Sequence, residues 1–564
     1  MDSFRTVIDA LNAAPDDRLF ITAWVDEDEH EDLTFAEFRR RARVQARFLS
    51  RQGVVGGDRV VIIMPQGTAA MTVFVGAMML GAVPAFLAYP NFKVEPSKYA
   101  SGLAGVTANL AARAIVIDGN FPDELLGHVR LQDGSKLLRA APVDEADGGE
   151  APVCGIHGDN LAFIQHSAGT TGLQKGVALT HRAVLTQIRH LARALQIDSS
   201  KDRIYSWLPL YHDMGLIACF MLPMVCHVPV VMQSPLDWVM QPGTMLQVIS
   251  DYQCTLAWLP NFAFQFVPRR TPRRRWSNHS LGSVRALINC SEPVRGASME
   301  EFQQSFAAIG LTPGALQSSY AMAENVFAVT QSDITRPAGP PRFWADGRRF
   351  RSEHLAVAVA AETPGAVAFV SSGRLLPNHH VRIAADSGAI LPDGCVGEIQ
   401  VSSDCLFQGY FHRPDLTAQV LRDGWYWTGD LGFQFEGELY VVGRKKDLMI
   451  IGGENLYPQD IEEAAATHPA IHDGRVVALG IYNPNLGTED IVVVAEVERE
   501  DLLDRAAELE SEIRGRIVAA LGVAVRTVLL KPPRWIVKST AGKPARGGTR
   551  EKLLREHPDL DPDL

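Results

Sequence analysis

The sequence predicts an α/β protein with a large N-terminal region, a small β-rich portion near its end, and a separate α+β unit at the C-terminus. Three observations carry this. Strand, turn and helix patterns alternate from Arg59 onward, which implies a parallel sheet with helical crossovers. Short strands and turns then dominate from Gly373 to Gly443. From Asp447 the pattern changes to mixed helix and strand, so Gly443-Arg-Lys-Lys-Asp447 is a candidate junction, dividing residues 1–445 from 446–564.

Taken in order, Thr34-Phe-Ala-Glu37 reads as a capping box that opens a helix reaching about Arg51 and stopping at Gly53. A strand is expected at Arg59 to Met64, a helix near Thr72 to Leu80 and a strand at Ala114 to Ile117. No charged residue lies between Val60 and Phe92, and Ala69 to Ala88 within it has the length of a membrane span. Pro65-Gln-Gly67 splits that stretch, and Gly76, Gly81 and Pro84 interrupt it further, so a buried strand and helix are expected instead. Residues 140–158, rich in Asp, Gly and Pro, read as a connection.

The centre of the chain is Ser167-Ala-Gly-Thr-Thr-Gly-Leu-Gln-Lys-Gly176, between an apolar strand (Leu161 to Gln165) and another (Val177 to Leu179). Its three glycines let the backbone approach a polyanion, its hydroxyls and N–H groups are donors, and Lys175 adds a cation. That is the make-up of a phosphate cradle, the alternative being a flexible surface loop. It is not a Walker A motif, because Lys175 is followed by Gly rather than Ser or Thr. Thr180 caps a helix running through Leu185, Ile188 and Leu195.

Further on, Leu256-Ala-Trp-Leu-Pro-Asn-Phe-Ala-Phe264 suits the wall of an apolar pocket or ordinary core. Arg269-Arg270 and Arg273-Arg-Arg275 make a basic run, either a solvated loop or a docking patch for a phosphate-bearing partner. Ser283 to Asn289 is β-like, and the weakly patterned stretch between Asn325 and Ser372 reads as an insertion.

Composition narrows the function. Hydrophobic residues make up 46% and charged residues 21% of the 564, an ordinary globular balance. A net charge of -11 argues against general nucleic-acid binding. Seven cysteines without a C-x-x-C pair fit a reducing cytoplasm and disfavour a zinc site. The first residues lack a basic region followed by an apolar one, so no signal peptide is expected, and no transmembrane segment either.

Six motifs stand in one order: the Thr/Gly loop, Tyr211-His-Asp-Met-Gly215, Ser319-Tyr-Ala-Met-Ala-Glu324, Trp427-Thr-Gly-Asp430, Gly443-Arg-Lys-Lys-Asp447 and Thr540-Ala-Gly-Lys543. Together, over nearly the whole chain, they resemble the adenylate-forming superfamily of acyl-CoA synthetases, peptide-synthetase adenylation domains and luciferases. Leu208 to Ile217, Pro260 to Phe264 and Asn455 to Ile461 are similar to the fatty acyl-AMP ligase branch, as is the placement of the insertion after Glu324. Asp423 to Asp430 and Leu486 to Asp490 look equally at home in acyl-CoA ligases.

The resemblance implies two α/β subdomains, the β-rich subdomain and a mobile C-terminal domain. It also implies ATP, Mg2+ and CoA, or the phosphopantetheine of a carrier protein, as cofactors, with a small-molecule carboxylic acid as substrate. Ser167, Gly169, Thr170, Thr171, Gly172 and Lys175 would hold the phosphates, and Glu324 would help bind Mg2+. Tyr320 would lie against adenine beside Ser319, with the backbone at Ser291 and Glu292 on the adenine edge and Asp430 and Arg444 at the ribose. Lys543 would be the cation at the reacting centre, Lys446 the hinge, and Gly453 the narrow point of the thiol path. His212, or a merely packed histidine, would mark the meeting of acyl group and thiol, with Asn261, Phe262 and Met214 in the acyl pocket.

Ala168, Gln174 and Ala541 depart from the residues more usual at their positions, and no Phe-Asp pair stands where relatives bind an ammonium group, which favours a non-amino acid. The expected activity is an acid-thiol ligase that carries an apolar carboxylate through acyl-AMP to CoA. The alternative is a ligase that loads an acyl carrier protein, or one specialised in a single half-reaction.

Overall fold

A computed structural model of the chain describes residues 4–90, 96–141, 155–166, 175–451, 454–483, 488–538 and 544–560. A four-stranded parallel sheet runs in the order Val83–Phe86, Arg59–Ile63, Ala114–Ile117, Lys136–Arg139. Each strand is short, β-branched or apolar, and followed by a helix or loop that crosses back, as the alternation of patterns predicts. The helix Thr68–Met79 starts earlier than expected, directly after the Pro65-Gln-Gly67 break, and is buried almost all round. A Cβ on Gly76 would lie 2.7 Å from the Ala42 carbonyl oxygen, so glycine there lets this helix pack against Phe35–Arg51. Thr34 caps Phe35–Arg51 by accepting from the Glu37 N–H. The Glu37 carboxylate does not complete the expected box, because Arg40 and Arg41 take it at 2.7 to 2.9 Å. Among the described residues no helix is long and apolar enough to cross a membrane.

The main sheet has nine strands. From Leu19–Trp24 through Val230–Gln233, Ile204–Ser206, Leu256–Leu259 and Ala286–Asn289 to Leu316–Ala321 they are parallel. His30–Thr34 closes one edge antiparallel, and Ala328–Gln331 with Arg374–Leu375 closes the other. One continuous core lies between this sheet, the helices and part of the first sheet. Between the two sheets, Leu161–His166 and Gly176–Thr180 form an antiparallel pair whose connection contains the Thr/Gly loop. Ser167, Gly169, Thr170, Thr171 and Gly172 lie outside the described residues, as do Gly453 and Lys543.

The β-rich portion is a five-stranded antiparallel sheet built from His379–Ala384, Gly397–Ser403, Leu421–Arg422, Trp425–Phe435 and Glu438–Arg444. The stretch between Asn325 and Ser372 is better ordered than its pattern suggests. Arg342–Asp346 and Ala366–Val370 pair antiparallel around a helix, Gly347–Glu353, capped by the Asp346 carboxylate. Phe343, Ala345 and Phe350 are buried in a cluster with Phe433, Tyr440 and Tyr457. These strands went unrecognised because they gain their apolar partners from another sheet rather than from their own periodicity. Beyond Lys446, a three-stranded sheet and the helices Pro458–Ala466, Ala506–Leu521 and Arg546–Glu556 have their own cores.

Burial pushes the His166 and His181 imidazoles down from the usual 6.5 to about 4, and neutral His181 accepts the Val7 N–H at 3.3 Å. The unfolded chain therefore takes up protons that these sites refuse. Their contribution to stability is present above pH 6.5 and is lost as pH falls toward about 4. The melting temperature should drop across that window, and less steeply for His181→Gln; equal slopes would remove His181 from the explanation.

Candidate adenylate-forming site

Three neighbouring parallel strands end on the same edge of the nine-stranded sheet and deliver most of the site. Leu256–Leu259 leads into Pro260 to Phe262, Ala286–Asn289 into Cys290 to Glu292, and Leu316–Ala321 into Met322 to Glu324. The carboxyl edge of a parallel sheet is open to ligands because the returning helices leave it uncovered. The five-stranded sheet and the C-terminal elements close over that edge, leaving a cleft of about 2970 Å³.

At one end of the cleft the Tyr320 hydroxyl donates to Asp430 Oδ2 at 2.7 Å, and Arg444 Nε lies 3.2 Å from Asp430 Oδ1. Asp430 and Arg444 are cross-strand partners, so the sheet register itself brings them together. Burial, then the neighbouring Asp430 charge, push the Tyr320 phenol well above its usual range, which keeps it a donor. The Ser319 hydroxyl is turned inward and donates to the Thr330 carbonyl at 2.7 Å. Ser291 adopts φ +70°, and the Glu292 side chain accepts the Phe262 N–H at 2.9 Å. This ties the Ser291 turn to the neighbouring Phe262 turn.

Deeper in, the buried Glu324 carboxylate accepts the Tyr410 hydroxyl at 2.7 Å, and Lys175 Nζ stands 4.7 Å from the Tyr410 ring centroid. Lys446 borders the same cleft. Burial first, then the Arg444 charge, hold its ammonium below the usual range, with Lys175 adding to the effect. Lys538 and Pro544, which flank the segment containing Lys543, are bridged to one another and line the cleft.

The apolar arm is built from aromatic rings. Trp207 and Trp238 stack at 3.6 Å, and Phe262 meets both edge-on near Phe266. Asn261 is fixed by three bonds: it accepts from Asn289 Nδ2 and from the Arg295 N–H, and it donates to Ser298 Oγ. Met214 is buried with its sulfur 3.7 Å from the Ser291 hydroxyl. His212 Nδ1 lies 2.7 Å from the Asp213 carboxylate, in the turn that enters the π-helix Met214–Met221. Tyr410 and Tyr426, which line the cleft, were missed in the sequence, since an isolated aromatic carries no signal of which cavity it lines.

The basic run divides in the structure. Arg269 makes a two-point pair with Glu301, and Arg270 reaches Glu498 of the C-terminal region at 3.2 Å, while Arg273–Arg275 form an exposed turn. Among the described residues Cys219, Cys226, Cys254, Cys290 and Cys405 are buried and Cys395 is half-buried, and Cys154 lies outside them.

An α/β scaffold with a cleft that pairs a polar, cation-lined end with an aromatic apolar arm is the layout of an enzyme joining a nucleotide to an organic acid. The chain belongs to the AMP-binding enzyme family, whose profile matches residues 9–411. It is 30% identical to a 4-hydroxyphenylalkanoate adenylyltransferase of Mycobacterium marinum, over 93% of this chain and 86% of that one. It is also 30% identical to the long-chain-fatty-acid–AMP ligase FadD32 of Mycolicibacterium smegmatis, over 93% and 89% of the two chains. Among solved structures, one from a study of fatty acyl-adenylate ligases from E. coli and L. pneumophila superposes with a TM-score of 0.90 at 28% identity, covering 99% of each chain.

Gly215 tests the apolar arm. A Cβ there would sit 2.3 Å from the Pro209 carbonyl oxygen, a backbone atom that cannot give way alone. Gly215→Ala should destabilise the protein by about 1–3 kcal/mol through overpacking and displace the His212 turn. A thermal melt that matches the parent would show the turn to be looser than this geometry.

Proposed function

We propose that the chain activates an apolar, non-amino carboxylic acid with ATP and passes the acyl group from acyl-AMP to the phosphopantetheine thiol of a carrier protein. The observation that carries the first half is the meeting of Tyr320, Asp430, Arg444, Lys175 and Glu324 in one cleft with the aromatic arm around Phe262. A carboxylate oxygen attacks the α-phosphorus, the bond to the leaving oxygen breaks, and pyrophosphate departs. Tyr320 and Asp430 orient the nucleoside, while Lys175, the Thr/Gly loop and Lys543 offset the repulsion between two anions and stabilise the in-line transition state. Glu324 suits Mg2+, because it is a buried carboxylate that accepts from the neutral Tyr410 hydroxyl. The ion's charge would offset that of the phosphates. In the second half the thiol attacks the acyl carbon and AMP leaves. Lys446 serves as the hinge for the change between the two, with Gly453 on the thiol path.

The choice of a carrier protein over CoA rests on how the insertion packs. Phe350 of its helix lies 5.9 Å from Tyr457, beyond the hinge, within one buried cluster. Arg295 adds ion pairs to Asp460 and Glu463 at 3.2 and 2.8 Å. These contacts raise the cost of the rotation about Lys446, a cost that the binding surface of a docking carrier protein offsets and a free CoA molecule offsets less. Relatives named for the AMP-ligase step support this reading, while another is named a putative fatty-acid–CoA ligase. Transfer to CoA, expected first from the motifs alone, remains the second reading, favoured by the Asp423 to Asp430 stretch.

Incubation with ATP, a panel of acids and either CoA or a phosphopantetheinylated carrier should give acyl carrier and no acyl-CoA; acyl-CoA as the main product would reverse the choice. Lys543→Ala should cut acid-dependent pyrophosphate release by about 10² to 10³ yet still convert supplied acyl-AMP to thioester. A bulky residue at Gly453 should do the reverse. Equal losses in both assays would contradict this division of roles.

A further inference from the structure

Glu324 sits on a turn that the backbone does not favour. Ala323–Asn325 form one turn of 3-10 helix, and the chain then passes through Val326 at φ 62°, ψ -54°. That region strains a β-branched residue, and such strain persists only where the surroundings over-determine it. The Phe327 N–H closes the tight turn on the Asn325 carbonyl at 2.7 Å, and the Met322 N–H reaches the Phe327 carbonyl at 2.9 Å.

The Asn325 side chain is the common point of the elements around this turn. It is fully buried. Its amide nitrogen donates to the Ala328 carbonyl at 2.8 Å and to His379 Nε2 at 2.9 Å, with Gln187 Oε1 at 3.3 Å. Its oxygen accepts the Ser403 hydroxyl at 2.6 Å. His379 Nδ1 donates to the Pro377 carbonyl at 2.8 Å, which leaves Nε2 with the lone pair that Asn325 needs. Burial holds this imidazole below its ordinary range, so it stays neutral. Next to these, the Phe407 N–H ties down the Glu324 carbonyl at 2.8 Å. One amide thus joins the helix His181–Ala194, the strand Ala328–Gln331 and two strands of the five-stranded sheet.

We propose that Asn325 is a positioning residue: it clamps the strained Val326 turn so that the Glu324 carboxylate is aimed into the cleft for a nucleotide-bound divalent cation. This rests on the assignment of Glu324 as the cation's ligand. The strain explains why a fully buried polar group is used here. An apolar side chain would fill the space, but it would not hold four elements against a turn that tends to relax.

The direct test is binding of Mn2+, as a paramagnetic stand-in for Mg2+, to the full chain with α,β-methylene-ATP, followed by electron paramagnetic resonance so that no turnover is involved. Asn325→Ala should weaken Mn2+ binding by about tenfold or more, as losses around a metal ligand do, while metal-free binding of the same nucleotide is unchanged. Adding Val326→Gly should restore it, because glycine takes φ 62° without strain. Ser403→Ala, which removes one bond to the clamp, should give a smaller loss in the same direction, and it decides the matter if Asn325→Ala does not fold. Unaltered Mn2+ binding in these variants, or a loss that Val326→Gly does not restore, would overturn the proposal. Glu324→Gln separates the two claims: if it leaves Mn2+ binding intact, the ligand assignment fails and not the clamp alone.

Discussion

The cleft has to solve one electrostatic problem, the approach of a carboxylate to a triphosphate. Two anions at contact repel strongly in a site shielded from water, so cations must already be in place before they meet. The chain as a whole is acidic, at -11, yet Lys175, Arg444 and Lys446 gather along one cleft. Their mutual repulsion shows in Lys446, whose ammonium burial and Arg444 together hold below the usual range. A cluster of like charges that costs stability when the cleft is empty lowers the barrier when it is full. Asp430 keeps Arg444 in position, and Tyr320 orients Asp430.

The scaffold supplies these groups from different parts of the chain. The parallel sheet gives three loops on one edge, the antiparallel sheet gives the Asp430–Arg444 pair, and the C-terminal elements add the bridged Lys538 and Pro544 to the lining. The main sheet and the C-terminal sheet have separate cores. The insertion joins the two, since its aromatic side chains share a buried cluster with Tyr457 beyond Lys446. Stiffness is therefore set by a few contacts far from the reacting atoms.

Much of this was legible in the sequence. The strands at Arg59 and Ala114, the capped helix after Thr180 and the alternation that implies a parallel sheet all follow from local periodicity and punctuation, and the structure has them. The motif order pointed to the family that the comparisons then showed. What was not legible depends on contacts distant in sequence. The insertion read as weakly patterned because its strands pack on Phe433 and Tyr440. Tyr410 and Asn325 gave no signal, since nothing in their neighbours says that they will meet Glu324 or His379. Glu37 fits a capping-box pattern, but two adjacent arginines outcompete a backbone N–H for its carboxylate.

A crystal structure with a nonhydrolysable acyl-sulfamoyl adenosine bears most directly on the central claim that one cleft grips nucleotide and acid together. The base is expected against Tyr320 and the ribose at Asp430, with the acyl chain running along Phe262 and Trp207. A ligand bound elsewhere, or a nucleoside seated in the cleft with its acyl chain in solvent, would contradict it.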